Sequence, residues 1–317
     1  MNSISFDIVR GETLMATLLD AYYRQYGIHG YRPETHAPQH LYWPNGMQKG
    51  RLRWRRWMAR AAGTDRRTVS LLHYSSHVKL NNEFPALYTK QASTYKPAVV
   101  EHLLRTAGIV MPQQTSKYLP VLAHTLAYEF DDEPLNMFKG GSIDSVLKFK
   151  RMFMKENGYE PLPGYGAKIS SLFAMYLEEY GLLKIDDALP VDMHIQRIFV
   201  STKIITLREA VVNEVLENEI RLFLCDLCAR KGWNRVDLAH ALWFLGNKGC
   251  TTCYRHSDME LSCVLYKHCE GRASSWKYFD KGLWDPNMPS HRKGGSRIFR
   301  LEPVSVDSSQ QPLFTVD

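Results

Sequence analysis

The chain has 317 residues, 44% of them hydrophobic and 23% charged, with a formal net charge of +7. This composition excludes a disordered or low-complexity chain, and the length suits one large or two moderate domains. With no apolar run long enough to cross a bilayer and no secretory signal pattern at the N-terminus, an intracellular, soluble protein with an anionic partner is expected.

Apolar residues recur at helical spacing in GETLMATLLDAYYRQY, which predicts a helix over 11–26. The following GIHGYRPETHAPQHLYWPNG is rich in Gly, Pro and His and reads as a long irregular connection. KGRLRWRRWMARAAGTDRR (residues 49–67) then sets Arg53, Arg55, Arg56 and other basic residues around Trp54 and Trp57. Two readings stand for this run: arginines on phosphates beside aromatics on bases, or a solvated helix anchored to the core by its tryptophans.

KPAVVEHLLRTAG predicts a helix with Pro97 in its first turn and Gly108 as its stop. SIDSVLKFKRMFMKENG predicts another, capped by Ser142 and ended by Asn157-Gly158. Helical character continues through VDMHIQRIFVST and LREAVVNEVLENEIRLFLCDLCARKG, and through NRVDLAHALWFLGNKG with Asn234 as cap and Gly246 near the end. Alternating strands are scarce, and the Gly/Pro/Ser-rich stretch from Arg272 is expected to be irregular. The fold class read from these patterns is mainly α.

Between the second and third of these helices lies LPGYGAKISSLF, residues 162–173. Gly164 and Gly166 permit backbone angles that other residues resist and let a phosphate approach the amides, with the positive dipole end of the next helix behind them. A plain turn between packed helices would look similar. Downstream, LPVDMHIQRI places Asp192 at the start of a helix, where free amides favour a carboxylate. Taken singly, Lys168 reads as a surface lysine and Asp192 as a cap; together beside a phosphate-binding turn they suggest chemistry.

With LPGYGAK followed by PVDMHIQRI, the chain resembles the helix–hairpin–helix DNA glycosylases, the superfamily of endonuclease III and 8-oxoguanine DNA glycosylase. Lys168 falls on the lysine that marks members with lyase activity, and Asp192 on the superfamily's aspartate. Tyr165 stands where a smaller aliphatic is usual, and the segment between Lys168 and Asp192 is somewhat long. The resemblance covers residues 84–269 and extends to LYTKQASTYKPAVVEHLL, where Gln91 would enter the stack vacated by a flipped base.

The resemblance implies two helical subdomains flanking a DNA-binding cleft, with a helix–hairpin–helix motif and a C-terminal cysteine loop. The segments it suggests are a glycosylase subdomain over 81–205 and a cysteine-bearing helical subdomain over 206–270, flanked by the basic and aromatic extension over 1–80 and the tail over 271–317 that composition marks. It implies a monomer acting in the cytoplasm or nucleoid on double-stranded DNA, contacting it through Gly164, Tyr165, Gly166 and Gln91; Arg53, Arg55 and Arg56 join these contacts on the reading that sets the basic run on phosphates. Asp192 would stabilise positive charge on the sugar as the base departs, and Lys168 would attack the anomeric carbon and form a Schiff base, giving glycosylase and abasic-site lyase activity. Alternatives are a glycosylase without lyase activity directed at an unusual modified base, and a catalytically silent DNA-binding module.

Six cysteines in an intracellular chain point to metal binding or burial. Cys250, Cys253, Cys263 and Cys269 could surround a 4Fe-4S cluster or a zinc ion, with His256 and His268 near enough to replace a thiolate in a zinc site. The Cys263-x5-Cys269 spacing resembles the cluster loop of endonuclease III, whereas the preceding gaps come in the reverse order. Cys225 and Cys228, inside a predicted helix, read as ordinary packing.

Overall fold

A computed structural model of the protein describes residues 4–30, 33–65, 70–207, 211–250, 262–269 and 298–299. The described chain is mainly helical, with little sheet. No helix among the described residues is long and apolar enough to cross a membrane. The chain divides into two compact units, residues 31–191 with 221–240, and residues 1–30 with 192–220 and 241–317. They are named below for the helices α9 (Ala167–Glu179) and α10 (Met193–Ser201) that they carry.

In the α10 unit, β1 (Ile4–Phe6) precedes α1 (Ile8–Arg24), which starts earlier than the spacing predicts because Asp7 caps it, accepting from the Arg10 amide at 2.9 Å. One face of α1 buries Leu14, Met15, Leu18 and Leu19, and the left-handed Gln25 ends it. β1 pairs antiparallel with β2 (Ile205–Leu207), Ile4 opposite Leu207. Val211–Val212 (β3) pairs with Ile298–Phe299 (β4), so two residues of the stretch expected to be irregular form a strand; the rest of that stretch lies outside the described residues.

The α9 unit begins with the single turns α2 (Pro33–His36) and α3 (Pro38–Leu41), where the sequence suggests irregular chain. Then come α4 (Leu52–Gly63), α5 (Ser70–Glu83), α6 (Pro97–Thr106), α7 (Pro112–Glu129), α8 (Ile143–Asn157) and α9. Helices α11 (Asn213–Lys231) and α12 (Arg235–Phe244) contribute residues to both units. The predicted signals sit where expected: Pro97 opens α6 and the left-handed Gly108 follows it, Ser142 caps α8 through the Ser145 amide, Gly158 ends α8, and Asn234 accepts from the Val236 amide ahead of α12.

The basic run settles onto α4 as a core helix. Trp54 and Trp57 are fully buried, the first edge-on to Tyr180 and the second to Tyr74, so these rings anchor the helix and leave nothing for a base to stack on. Arg55 pairs with Glu133, and Arg56 meets the Asp132 carboxylate at 2.7 Å and its carbonyl at 2.9 Å. Arg60 is wholly buried; burial pushes its guanidinium down to about 10, opposed by Asp132. These arginines brace a turn in which Asp131 and Asp132 both adopt left-handed backbone, a conformation costing on the order of 1 kcal/mol per side-chain-bearing residue. Arg66 and Arg67 lie outside the described residues.

Two buried histidines tie stability to pH. His29 in the α10 unit has neither ring nitrogen hydrogen-bonded among the described residues, and burial lowers its pKa from 6.5 to about 4. His77 in the α9 unit, fully buried between Thr64 and Tyr88, is held well below 6.5 by burial and then by His73. The unfolded chain takes up these protons near pH 6.5 and the folded chain resists them, so stability present above pH 6.5 is lost as pH falls toward about 4. Each histidine contributes a slope of up to ~1.4 kcal/mol per pH unit in that window. Urea midpoints are expected to drop between pH ~7.5 and ~5, and less steeply in His29→Leu; equal slopes in the two proteins would remove His29 as a cause.

Candidate functional site

Helix α8 closes on Gly158, whose left-handed backbone lets its amide reach the Met154 carbonyl at 3.0 Å. The chain then turns through LPGYG into α9. Gly164 holds φ +93°, which side-chain-bearing residues rarely adopt, while the Tyr165 amide donates to the Leu162 carbonyl at 3.1 Å. Gly166 is the exposed N-cap of α9; no side chain caps the helix there, and a Cβ added at Gly166 would meet nothing within 4 Å. Lys168, half-buried, occupies the first turn of this helix.

Tyr165 differs from the expectation that it faces DNA. It is 1% exposed, its hydroxyl donates to the Ala59 carbonyl at 2.5 Å, and its ring lies over Gly63 of α4. A Cβ at Gly63 would stand 2.7 Å from Tyr165 Cε2 and 2.9 Å from Leu122 Cδ1. The absent side chain of Gly63 therefore makes the notch the ring fills, and Tyr165 is the turn's anchor. Its carbonyl in turn accepts from Lys150, which also pairs with Glu160 at 2.8 Å.

A buried guanidinium fixes the other ends of the helix pair. Arg221, with its side chain fully buried, donates to Asp187 Oδ2 at 2.8 Å, to the Asp187 carbonyl at 2.6 Å and to Asp144 Oδ1 at 2.9 Å. Asp187 Oδ1 accepts from the Ile143 amide at 2.9 Å, so a residue beyond α9 helps cap α8. Arg235 clamps the same segment through Glu178 and Asp186. Sequence reading missed this network, since isolated Asp and Arg residues in three separated stretches carry no local signal.

In the α10 unit, Asp192 is the N-cap of α10, with Oδ1 accepting from the His194 amide at 2.8 Å and the Ile195 amide at 3.0 Å. Arg197, one turn on, has its guanidinium lowered by burial and raised again by Asp192 and Cys250. Cys250 ends a π-helical segment, Leu245–Cys250, that continues from α12 past the predicted stop at Gly246. There a Cβ on Gly246 would fall 2.6 Å from His194 Cβ, and one on Gly249 would fall 2.5 Å from Ile28 Cδ1. The glycines thus admit α10 and the chain around Ile28 at close range, and the segment bearing Cys250 is packed on the helix that Asp192 caps.

The remaining predicted residues are divided between the two units. Lys168 belongs to the α9 unit and Asp192 to the α10 unit. Gln91 is exposed in a 3-10 turn, Lys90–Thr94, its amide on Thr89 Oγ1. Arg53 is exposed on α4, whereas Arg55 and Arg56 spend their charge on Glu133 and Asp132. Cys250, Cys263 and Cys269 are half-buried in the α10 unit; Cys253 and His256 lie outside the described residues. Burial pushes the Cys225 thiol up to about 12 and the Cys228 thiol up to about 11, as expected of packed, protonated cysteines.

No protein-family model matches this chain, and a search of curated proteins found no match.

The anchor is testable by stability. Tyr165→Phe removes one buried hydrogen bond and is expected to cost about 1 kcal/mol, while Gly63→Val fills the notch and is expected to cost about 3 kcal/mol. Urea denaturation at neutral pH measures both; a neutral Gly63→Val would show that the ring does not depend on the notch.

Proposed function

We propose that the protein is a helix–hairpin–helix DNA glycosylase with an associated abasic-site lyase activity. The observation that carries this reading is the start of α9: a glycine-built turn, an exposed N-cap without a side chain, and Lys168 in the first turn. Such a terminus offers amides and a positive dipole end to a phosphate, gripping a backbone without reading sequence. The net charge of +7 supports an anionic partner, and Arg53 and Gln91, both exposed, remain available for contacts.

In the proposed reaction the target nucleotide is rotated out of the duplex. Asp192 stabilises the positive charge that develops on the sugar as the glycosidic electron pair leaves with the base. Its Oδ1 is engaged by two amides, which fixes the carboxylate in place. The Lys168 amine forms the new bond to the anomeric carbon; loss of a nitrogen proton and ring opening yield the Schiff base. Removal of a proton from the adjacent sugar carbon then expels the 3′ phosphate.

The thiolates of Cys250, Cys253, Cys263 and Cys269 are proposed to hold a 4Fe-4S cluster, with zinc as the alternative. Four cysteines in one short stretch are a donor set that fits either, and the three described ones are half-buried in a single unit. The group's contribution would be to shape the loop around it.

Borohydride trapping on a duplex with one abasic site tests the reading without knowledge of the target base. Wild type is expected to form a covalent complex and Lys168→Ala none. Asp192→Asn keeps a capping oxygen and so the fold, but should slow base release at least ~100-fold with duplex binding retained. Trapping that survives loss of Lys168 would overturn the lyase assignment. Tight binding with no trapping and no base release would point to a silent DNA-binding module.

A further inference from the structure

Helix α9 ends on a second cluster that the proposed DNA chemistry does not use. Glu179, its last residue, is almost fully buried between two imidazoles: His240 Nε2 lies 2.5 Å from Oε1 and His40 Nε2 lies 3.2 Å from Oε2. Their ligand atoms all lie within 4.8 Å of one another. The three residues come from α3, α9 and α12, all within the α9 unit.

We infer that His40, Glu179 and His240 form a binding site for a divalent transition-metal ion of the zinc class. Two imidazoles with one carboxylate are the donor set such ions prefer, whereas magnesium and calcium favour all-oxygen sites. A tetrahedral ion about 2.0–2.1 Å from each ligand spaces neighbouring donors by about 3.3 Å, close to the His40–Glu179 separation. The shorter His240–Glu179 contact is a hydrogen bond; on metal binding His240 keeps one proton, on Nδ1, and any second proton passes to solvent.

Supporting contacts orient the ligands. Gln39, 2% exposed, places its amide nitrogen 3.3 and 3.4 Å from the two Glu179 oxygens. The Tyr180 hydroxyl lies 3.4 Å from His40 Nδ1, where its oxygen can accept a hydrogen bond from Nδ1–H in the tautomer that leaves Nε2 free to coordinate. Lys49, whose amine donates to the His40 carbonyl at 3.4 Å, faces the Glu179 carboxylate and opposes a cation, a cost that the two imidazole bonds have to exceed. His40, the most exposed of the three at 18%, gives the way in. A bound ion would hold α3, a single turn too short to be stable alone, against α9 and α12.

Cobalt(II) titration of the full chain after chelator treatment tests the site and separates it from the cysteines, because thiolate ligation adds a near-ultraviolet sulfur-to-metal band that nitrogen and oxygen ligands lack. The expected result is one equivalent of cobalt whose visible ligand-field bands grow without any gain in the sulfur band, whether or not further cobalt binds the cysteines. That equivalent should weaken in His40→Ala and in Glu179→Gln by more than the ~10–100-fold that loss of a supporting group costs. Helical circular dichroism checks folding; should Glu179→Gln unfold, His40→Ala, at the most exposed ligand, decides. Cobalt binding equal in wild type and His40→Ala, or a thiolate spectrum alone, would overturn the proposal.

Discussion

The contact between Tyr165 and Gly63 is the constraint on which the placement of α9 depends. A ring buried to 1% exposure needs a space, and the missing side chain of Gly63 on α4 provides it. The hydroxyl then finds the Ala59 carbonyl, so the ring brings its polar tip into the core without leaving it unsatisfied. Because Tyr165 sits between Gly164 and Gly166, this one anchor fixes the backbone on either side of it. A smaller aliphatic at this position would fill less of the notch and make no hydrogen bond; the tyrosine therefore ties the turn rigidly to α4.

Electrostatics inside the α9 unit follow from the same need to satisfy what is buried. Arg55, Arg56 and Arg60 turn toward Glu133 and Asp132, and Arg221 toward Asp187 and Asp144. A buried guanidinium without an anion would cost several kcal/mol, so these pairs are obligatory once the helices pack. Three of the eight basic residues along 49–67 are thereby neutralised within the fold. Among the described residues, the start of α9 with its bare N-cap stays outward, as do Arg51 and Arg53.

The α10 unit is organised around close backbone approach. Gly246 and Gly249 allow the π-helical segment to meet His194 and Ile28, and Asp192 spends one carboxylate oxygen on two amides of α10. Under the proposed chemistry an aspartate that must not move is held by the helix it caps, and the segment ending at Cys250 is packed on that helix. Capping and chemistry are compatible because the second oxygen is not needed for the cap.

Much of the local structure was legible in the sequence. Ser142, Asn234, Pro97 with Gly108, and Gly158 mark helix ends through hydrogen bonds and backbone angles that depend only on residues a few positions away. For the same reason the LPGYGAK turn and the cap role of Asp192 could be read directly. Only the tertiary structure decided that Tyr165 points inward, that Trp54 and Trp57 are core, and that residues 4–6 pair with 205–207. It alone brought His40, Glu179 and His240 together. Each of these depends on a partner far away in the chain, and the free energy that selects it comes from burial, which no short window of sequence contains.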